Sequence, residues 1–228
     1  MEYSAYIFDL DGTLLDTLDD LTQSVNYALR QFSMAERQKD EVRMMVGNGV
    51  RLLIERAVPI GTKDGVTIQV FETFRKHYLE HSLDNTRPYP GIIELFAKLK
   101  SEGKKIAIVS NKLQPAVSAL VDRFFSQYVD VAIGERVGMR RKPAPDMVLE
   151  AIRQLDTSSA QNTHQPKNNN HQPVTTNAVY IGDSDTDILT AQNSGLPCIS
   201  VLWGFRDREF LLKHGATTVV EKPEEIFF

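Results

Sequence analysis

The stretch that most constrains this chain lies near its start: Tyr6-Ile7-Phe8-Asp9-Leu10-Asp11-Gly12-Thr13-Leu14-Leu15-Asp16. An apolar run that passes into acids and a glycine reads as a buried strand emerging into a polar loop. Alternation along a strand points Asp9 and Asp11 the same way if extended geometry persists through both. Carboxylates so placed repel each other. A shared proton, a basic neighbour or a cation must resolve that repulsion. Gly12 lets the chain turn sharply. The plain alternative is an acidic Asp-Gly turn, and the rest of the chain decides between the two.

From Thr17 the periodicity becomes helical, with Leu18, Leu21, Val25, Ala28, Leu29 and Phe32 on one face. The pattern predicts further helices over 40–46, from Val50 to Pro59 and over about 64–82, the last with Val66, Val70, Phe74, Tyr78 and Leu79 inward. No strand signal interrupts them, so residues 17–87 read as a helical block inserted after strand one. Arg87-Pro88-Tyr89-Pro90-Gly91 marks a stiff return. Beyond it, strands predicted at 105–109, 129–133, 178–181, 198–202 and 218–220 alternate with helices. This α/β alternation predicts a Rossmann-like parallel sheet covered on both faces, built from residues 1–16 and 88–228. One helix is expected to end near Leu155. The segment 156–177, rich in Asn, Gln, Thr, Ser and His, is expected to be a flexible polar loop within that core.

Composition narrows the function classes. A net charge of -4 over 228 residues argues against nucleic acid as a partner. No apolar run approaches the roughly 18 residues of a spanning helix, so no membrane partner is expected. A single cysteine, Cys198, excludes an intrachain disulfide and fits a reducing compartment. Because the first strand follows Met1 almost at once, the expectation is a cytoplasmic protein without a signal peptide, monomeric or homodimeric.

The polar clusters carry the chemistry. Asp9 and Asp11 follow the first strand, Ser110 and Asn111 the second, Lys142 the third, and Asp183 and Asp187 the fourth. A parallel sheet brings all of them to one edge, where ligands bind in such folds. Singly, Ser110-Asn111-Lys112 is a plausible turn and Lys142 a plausible solvated charge. Four clusters in register are harder to dismiss. Four carboxylates against one lysine leave a negative excess that a hard divalent cation such as Mg2+ relieves. His77 and His81 stand four apart but lack a third zinc ligand, and Gly47-Asn48-Gly49 lacks the third glycine of a dinucleotide fingerprint. A carboxylate can attack phosphorus to give an aspartyl-phosphate. This needs a cation, donors for the equatorial oxygens, and an acid/base for the leaving alcohol and then for water. Asp9 fits the nucleophile, Ser110 with Lys142 the donors, and Asp11 the acid/base.

These motifs resemble those of the haloacid dehalogenase superfamily: Asp9-Leu10-Asp11-Gly12-Thr13, Ser110-Asn111, Lys142-Pro143-Ala144-Pro145 and Gly182-Asp183-Ser184-Asp185-Thr186-Asp187. The resemblance covers about residues 3–222 apart from the polar segment. It implies Asp9 as nucleophile and Asp11 as acid/base. It implies Mg2+ on Asp9, the backbone carbonyl of Asp11 and Asp183, with Asp187 supporting the metal shell. Phosphate would be held by Ser110, Asn111 and Lys142, with Thr13 ordering the first loop. The helical insertion would be a mobile cap hinged near Asp16 and Arg87. Within the superfamily the likeness is to the phosphoglycolate phosphatases, on residues 8–29 and 46–57. That likeness makes a small phosphorylated metabolite, 2-phosphoglycolate, the expected substrate. Gly47, Asn48, Gly49 and Arg51, or Arg56, would then provide the cap's substrate contacts.

Rival readings remain. A sugar-phosphate, nucleotide or pyrophosphate phosphatase, or a phosphomutase, uses nearly the same core. A dehalogenase would not need Asp11. A phosphonate hydrolase would need a cap lysine in an apolar setting, which Lys39, Lys63 and Lys76 lack. A phosphoacceptor receiver domain shares the acidic pocket, but its acceptor follows a middle strand and no helical block follows its first.

Overall fold

The computed structural model describes residues 3–161 and 177–227. In chain order these form β1 (Ala5–Phe8), a short β2 (Leu15–Asp16), helices α1 (Leu18–Gln31), α2 (Lys39–Met45), α3 (Val50–Ala57) and α4 (Asp64–His81), and a short β3 (Arg87–Pro88). Then come α5 (Ile92–Ser101), β4 (Lys105–Leu113), α6 (Gln114–Phe124), β5 (Val131–Glu135) and α7 (Asp146–Gln161). The chain closes with β6 (Ala178–Gly182), α8 (Asp185–Asn193), β7 (Cys198–Val201), α9 (Arg208–Lys213), β8 (Thr218–Val220) and a 3-10 turn, Pro223–Phe227.

Six strands form one parallel sheet in the order β5-β4-β1-β6-β7-β8. The first strand in sequence is therefore central, with Phe8 level with Ile108 on one side and Ile181 on the other. Strand order reverses at β1, so a crevice opens beyond its carboxyl end. Strand alternation sorts the two faces. Tyr6, Phe8, Ile106 and Ile108 join one core layer under α5 and α6, while Ala5, Ile7, Ala107 and Val109 join the other under α7. Strands buried on both faces read as unbroken apolar runs, which is why 5–8 and 106–109 show no alternation of polarity.

Helices α1 to α4 hold their own core of Leu18, Leu21, Val25, Leu29, Leu53, Ile54, Val70, Phe74 and Tyr78. On α4 the buried positions Val70, Phe74 and Tyr78 recur every four residues. Leu79 falls off that stripe and is 44% exposed, so its predicted inward position is corrected. The two chain crossings into and out of this block lie side by side, with Leu15 opposite Pro88 and Asp16 opposite Arg87 in an antiparallel ribbon.

Asp20, in the first turn of α1, ties the outgoing crossing to the incoming one. Its buried carboxylate accepts from the backbone N–H groups of Asn85 and Thr86, from Asn85 Nδ2 and from Thr86 Oγ1, at 2.8–3.1 Å. Asp20→Ala strands those donors in a dry site. It is expected to cost about 2–4 kcal/mol in urea unfolding. Asp19→Ala, which breaks only a half-exposed pair with Lys39, should cost under about 1 kcal/mol. Equal effects would remove this role from Asp20.

Helix α7 runs on to Gln161, six residues beyond the expected end near Leu155. The opening of the predicted polar loop is thus helical, and 162–176 lie outside the described residues. β4 extends to Leu113 rather than stopping at Val109, a difference with consequences at the site.

Candidate active site

Asp9 is the first residue past β1, and its backbone N–H donates to the Ile181 carbonyl, which holds it level with the end of β6. Asp183 is the first residue past β6, and Asp187 lies one turn into α8. Ser184 caps α8: Asp187 Oδ2 accepts from Ser184 Oγ at 2.6 Å and from its backbone N–H at 3.1 Å. This capping box turns the Asp187 carboxylate back toward the sheet. Gly12, at φ +86, lies against Asp183, where a Cβ would stand 2.4 Å from Asp183 Oδ2. The glycine after Asp11 is thus required by close approach as well as by backbone conformation.

Oxygen atoms of Asp9, Asp183 and Asp187 all fall within 4.8 Å of one another, and all three residues are buried. Burial, reinforced by Asp187, pushes the Asp183 carboxyl up to about 7. Burial, then Asp187 and Asp183, pushes Asp9 well above the ordinary carboxylate range, against the pull of Lys142. Lys142 Nζ lies 2.7 Å from Asp9 and 2.8 Å from Asp187, with Tyr180 OH at 3.1 Å. Burial disfavours its charge, but Asp187 and Asp9 outweigh burial and raise its pKa. One ammonium among three buried carboxylates leaves a negative excess, and a hard cation with oxygen ligands fits that donor set. The three acids are not equivalent. Asp187 already accepts from Lys142, Tyr180, Ser184 N–H and Ser184 Oγ, so its lone pairs are taken. Among the described residues Asp183 accepts only from Thr13 Oγ1 and Phe205 N–H, and Asp9 is bonded on one oxygen, to Lys142.

A cleft opens over this edge, lined by Asp9, Asp11, Ser110, Asn111, Lys112 and Lys142 from the sheet side. Leu21, Val46, Gly47, Gly49, Val50 and Leu53 line it from the helical block.

Residues 6–201 match the model of the haloacid dehalogenase-like hydrolases. The chain belongs to that family. It is 34% identical over 200 residues to a phosphoglycolate phosphatase of Aquifex aeolicus, covering 87% of this chain and 84% of that one. A phosphoglycolate phosphatase of Mesorhizobium japonicum is 32% identical over 96% of this chain and 95% of its own. Among solved structures, a Lactobacillus delbrueckii subsp. bulgaricus protein superposes with a TM-score of 0.86 at 36% identity, covering 99% of this chain and 97% of that one. Family and relatives together make the chain a phosphatase.

Within this haloacid dehalogenase-like fold the sequence-predicted residues separate into groups. Asp9, Asp11, Ser110, Asn111, Lys142, Gly47 and Gly49 meet at the cleft, and Asp183 and Asp187 lie directly behind Asp9. Thr13 does not face the cleft; it is fully buried and orients Asp183. The Asn111 side chain is spent on the loop carrying Lys142, accepting from Lys142 N–H at 2.8 Å and donating to its carbonyl at 3.1 Å. The Asn48 side chain points away, donating to Thr186 Oγ1 and accepting from Arg56. Arg56 also donates to the Met45 carbonyl, so it braces the glycine loop. The expectation for Arg51 is corrected. It lies on the far side of α3, pairs with Glu55 at 3.0 Å and borders a different, larger groove on the outer face of the helical block. Arg51→Ala should therefore leave kcat/KM within about two-fold in a phosphate-release assay; a larger loss would return Arg51 to the substrate.

Two residues that shape the site escaped the sequence reading, one lining the cleft and one behind its glycine loop. Lys112 Nζ lies 2.8 Å from Asp11 Oδ1 and donates to Tyr78 OH of α4. Burial works against its charge, but Asp11 and Tyr78 outweigh it and raise its pKa. β4 runs on through Leu113 with a register shift between Val109 and Leu113, so strand alternation alone does not place Lys112. Arg206, in the loop after β7, donates to the carbonyls of Arg43, Met44 and Val46 at the end of α2. It fastens the glycine loop from below. No local pattern marks it.

Proposed function

We propose that this chain is a Mg2+-dependent phosphatase that hydrolyses a small phosphorylated acid, 2-phosphoglycolate, through an aspartyl-phosphate on Asp9. The observation that carries this reading is the convergence of Asp9, Lys142 and Asp183 at the carboxyl end of the central strand. Asp9, Asp183 and the backbone carbonyl of Asp11 would hold the cation, with Asp187 supporting through its neighbours. Bound there, Mg2+ would neutralise the carboxylates and screen the approach of an anionic phosphoryl group.

The chain's own groups do the rest. An Asp9 oxygen attacks phosphorus in line, the bond to the leaving oxygen breaks, and Asp11 gives that oxygen its proton. Lys142 and Ser110 hold the phosphoryl oxygens. Asp11, now ionised, takes a proton from water as the water attacks phosphorus, and the bond to Asp9 breaks to release phosphate. In this reading residues 17–87 form a cap over a core of 1–16 and 88–228, with the β2–β3 ribbon as its hinge. Closure excludes water from the cleft.

The lining of the leaving-group side supports this choice of substrate. Leu21, Val46, Val50 and Leu53 are apolar, Gly47 and Gly49 offer backbone only, and Lys112 is the cation. A sugar would bring several hydroxyls there with few partners, and unpaired polar groups are costly. A two-carbon acid brings one charge and little else. The relatives of Aquifex aeolicus and Mesorhizobium japonicum favour the same substrate.

A panel of 2-phosphoglycolate, hexose phosphates, nucleotides and pyrophosphate, assayed for Mg2+-dependent phosphate release, tests the reading. The expected result is highest kcat/KM on 2-phosphoglycolate. A hexose phosphate or nucleotide ranking above it by ten-fold or more would overturn the substrate assignment.

A further inference from the structure

One buried cation, named above only for its charge on the leaving-group side, has no part in the proton transfers. Lys112 is 4% exposed and bridges three separate parts of the chain. Its ammonium donates to Asp11 Oδ1 at 2.8 Å and to the hydroxyl of Tyr78. Lysine itself comes from the end of β4, Asp11 from the loop after β1, and Tyr78 from α4 of the helical block. Tyr78 is itself buried, stacks on Phe74 with ring centroids 5.4 Å apart, and presents its ring to the ammonium at 4.5 Å. An ammonium offers donors only. With two oxygens as anchors its position is set; with one it can swing, and a donor is left unpaired in a dry site.

We infer that Tyr78 is a positioning residue for the reaction: its hydroxyl fixes Lys112, and through Lys112 the carboxylate of Asp11, only while the helical block is seated on the sheet. The inference rests on the reading of Asp11 as the acid/base. It makes proton transfer conditional on closure, because the second anchor of Lys112 belongs to the moving part. Seating itself has other fastenings. Arg206 grips the end of α2 and Asn48 reaches Thr186, and neither contact involves Asp11. Removing one hydroxyl from α4 therefore disturbs the alignment of Asp11 more than it disturbs seating.

The test exploits leaving groups. An alkoxide needs a proton to depart, whereas nitrophenolate leaves without one. The full-length protein with Mg2+ is mixed with 2-phosphoglycolate, or with any alkyl ester that ranks above it in the panel, and separately with p-nitrophenyl phosphate. Rapid quench then gives the rate of phosphoenzyme formation. Tyr78→Phe keeps the ring and its stacking. It should slow the step on the alkyl ester about ten-fold with KM little changed, and leave nitrophenyl phosphate within about two-fold. Lys112→Met should slow the same step on the alkyl ester at saturating substrate, with KM for the acid raised as well because its charge is lost, and leave nitrophenyl phosphate within about two-fold. Adding Tyr78→Phe to it should cost nothing further, since two residues acting through one chain are not additive. Equal slowing on both esters, or additive losses, would make Tyr78 a mere fastening and overturn the inference. Asp11→Asn separates the two levels. If it too slows both esters alike, the acid/base reading fails and takes this inference with it. If it discriminates while Tyr78→Phe does not, only the inference falls.

Discussion

Asp9→Asn is expected to abolish turnover, lowering kcat by about four orders of magnitude or more, as losing a covalent nucleophile does. The protein should remain folded. An amide has nearly the shape of the carboxylate and still accepts from Lys142, which in any case keeps Asp187 at 2.8 Å. Three buried carboxylates crowd one site, and burial with Asp187 already raises the pKa of Asp9. Removing one charge relieves part of that repulsion, so the metal-free variant should melt no lower than the parent. Phosphate release beside a circular-dichroism melt reads both effects. Activity above about 1% of the parent, in protein free of deamidated Asn, would reject Asp9 as nucleophile.

How much of this was legible beforehand depends on what kind of information each feature carries. The Asp9 cluster was readable because burial and charge are written next to one another: an apolar run ends and carboxylates begin. The edge on which Asp9, Ser110, Lys142 and Asp183 meet followed from parallel topology alone, since strands aligned as Phe8, Ile108 and Ile181 are must place their carboxyl ends together. Features set by long-range partners were not readable. Lys112 looked like part of a turn because its role depends on Tyr78, 34 residues away in the chain and on another element. Arg51 looked like a substrate contact because proximity to Gly49 in sequence says nothing about which side of α3 it faces. Arg206 has no local signature at all, as its partners are backbone carbonyls. The β2–β3 ribbon is two residues long on each side, too short for any periodicity. Helix α7 outlasts its apolar stripe into 156–161, where polar composition suggested a loop. Periodicity reports which face is buried, and a helix can continue where nothing needs burying.

Removing divalent cation is expected to abolish turnover and to reverse the pH dependence of stability. Asp183 sits at about 7 when burial and Asp187 act on it without a cation, against 3.8 for an ordinary aspartate, and Asp9 is shifted in the same direction. Between those values the folded state binds protons that the unfolded chain releases. The slope of unfolding free energy with pH is then negative. Stability from these groups is fully present below about 4 and is lost as pH rises through about 7. In chelator the melting temperature should therefore fall over that window. A cation competes with those protons for the same oxygens, so Mg2+ should raise the melting temperature, and by more at pH 8 than at pH 5. At a hundred-fold excess over Kd the gain is about 2.7 kcal/mol, a shift of several degrees for a chain of this size. Thermal melts at the two pH values, with chelator and with Mg2+, check the sign, and restoring Mg2+ should restore phosphate release. A Mg2+ shift equal at both pH values, or larger at pH 5, would mean that the ion binds somewhere other than among Asp9, Asp183 and Asp187.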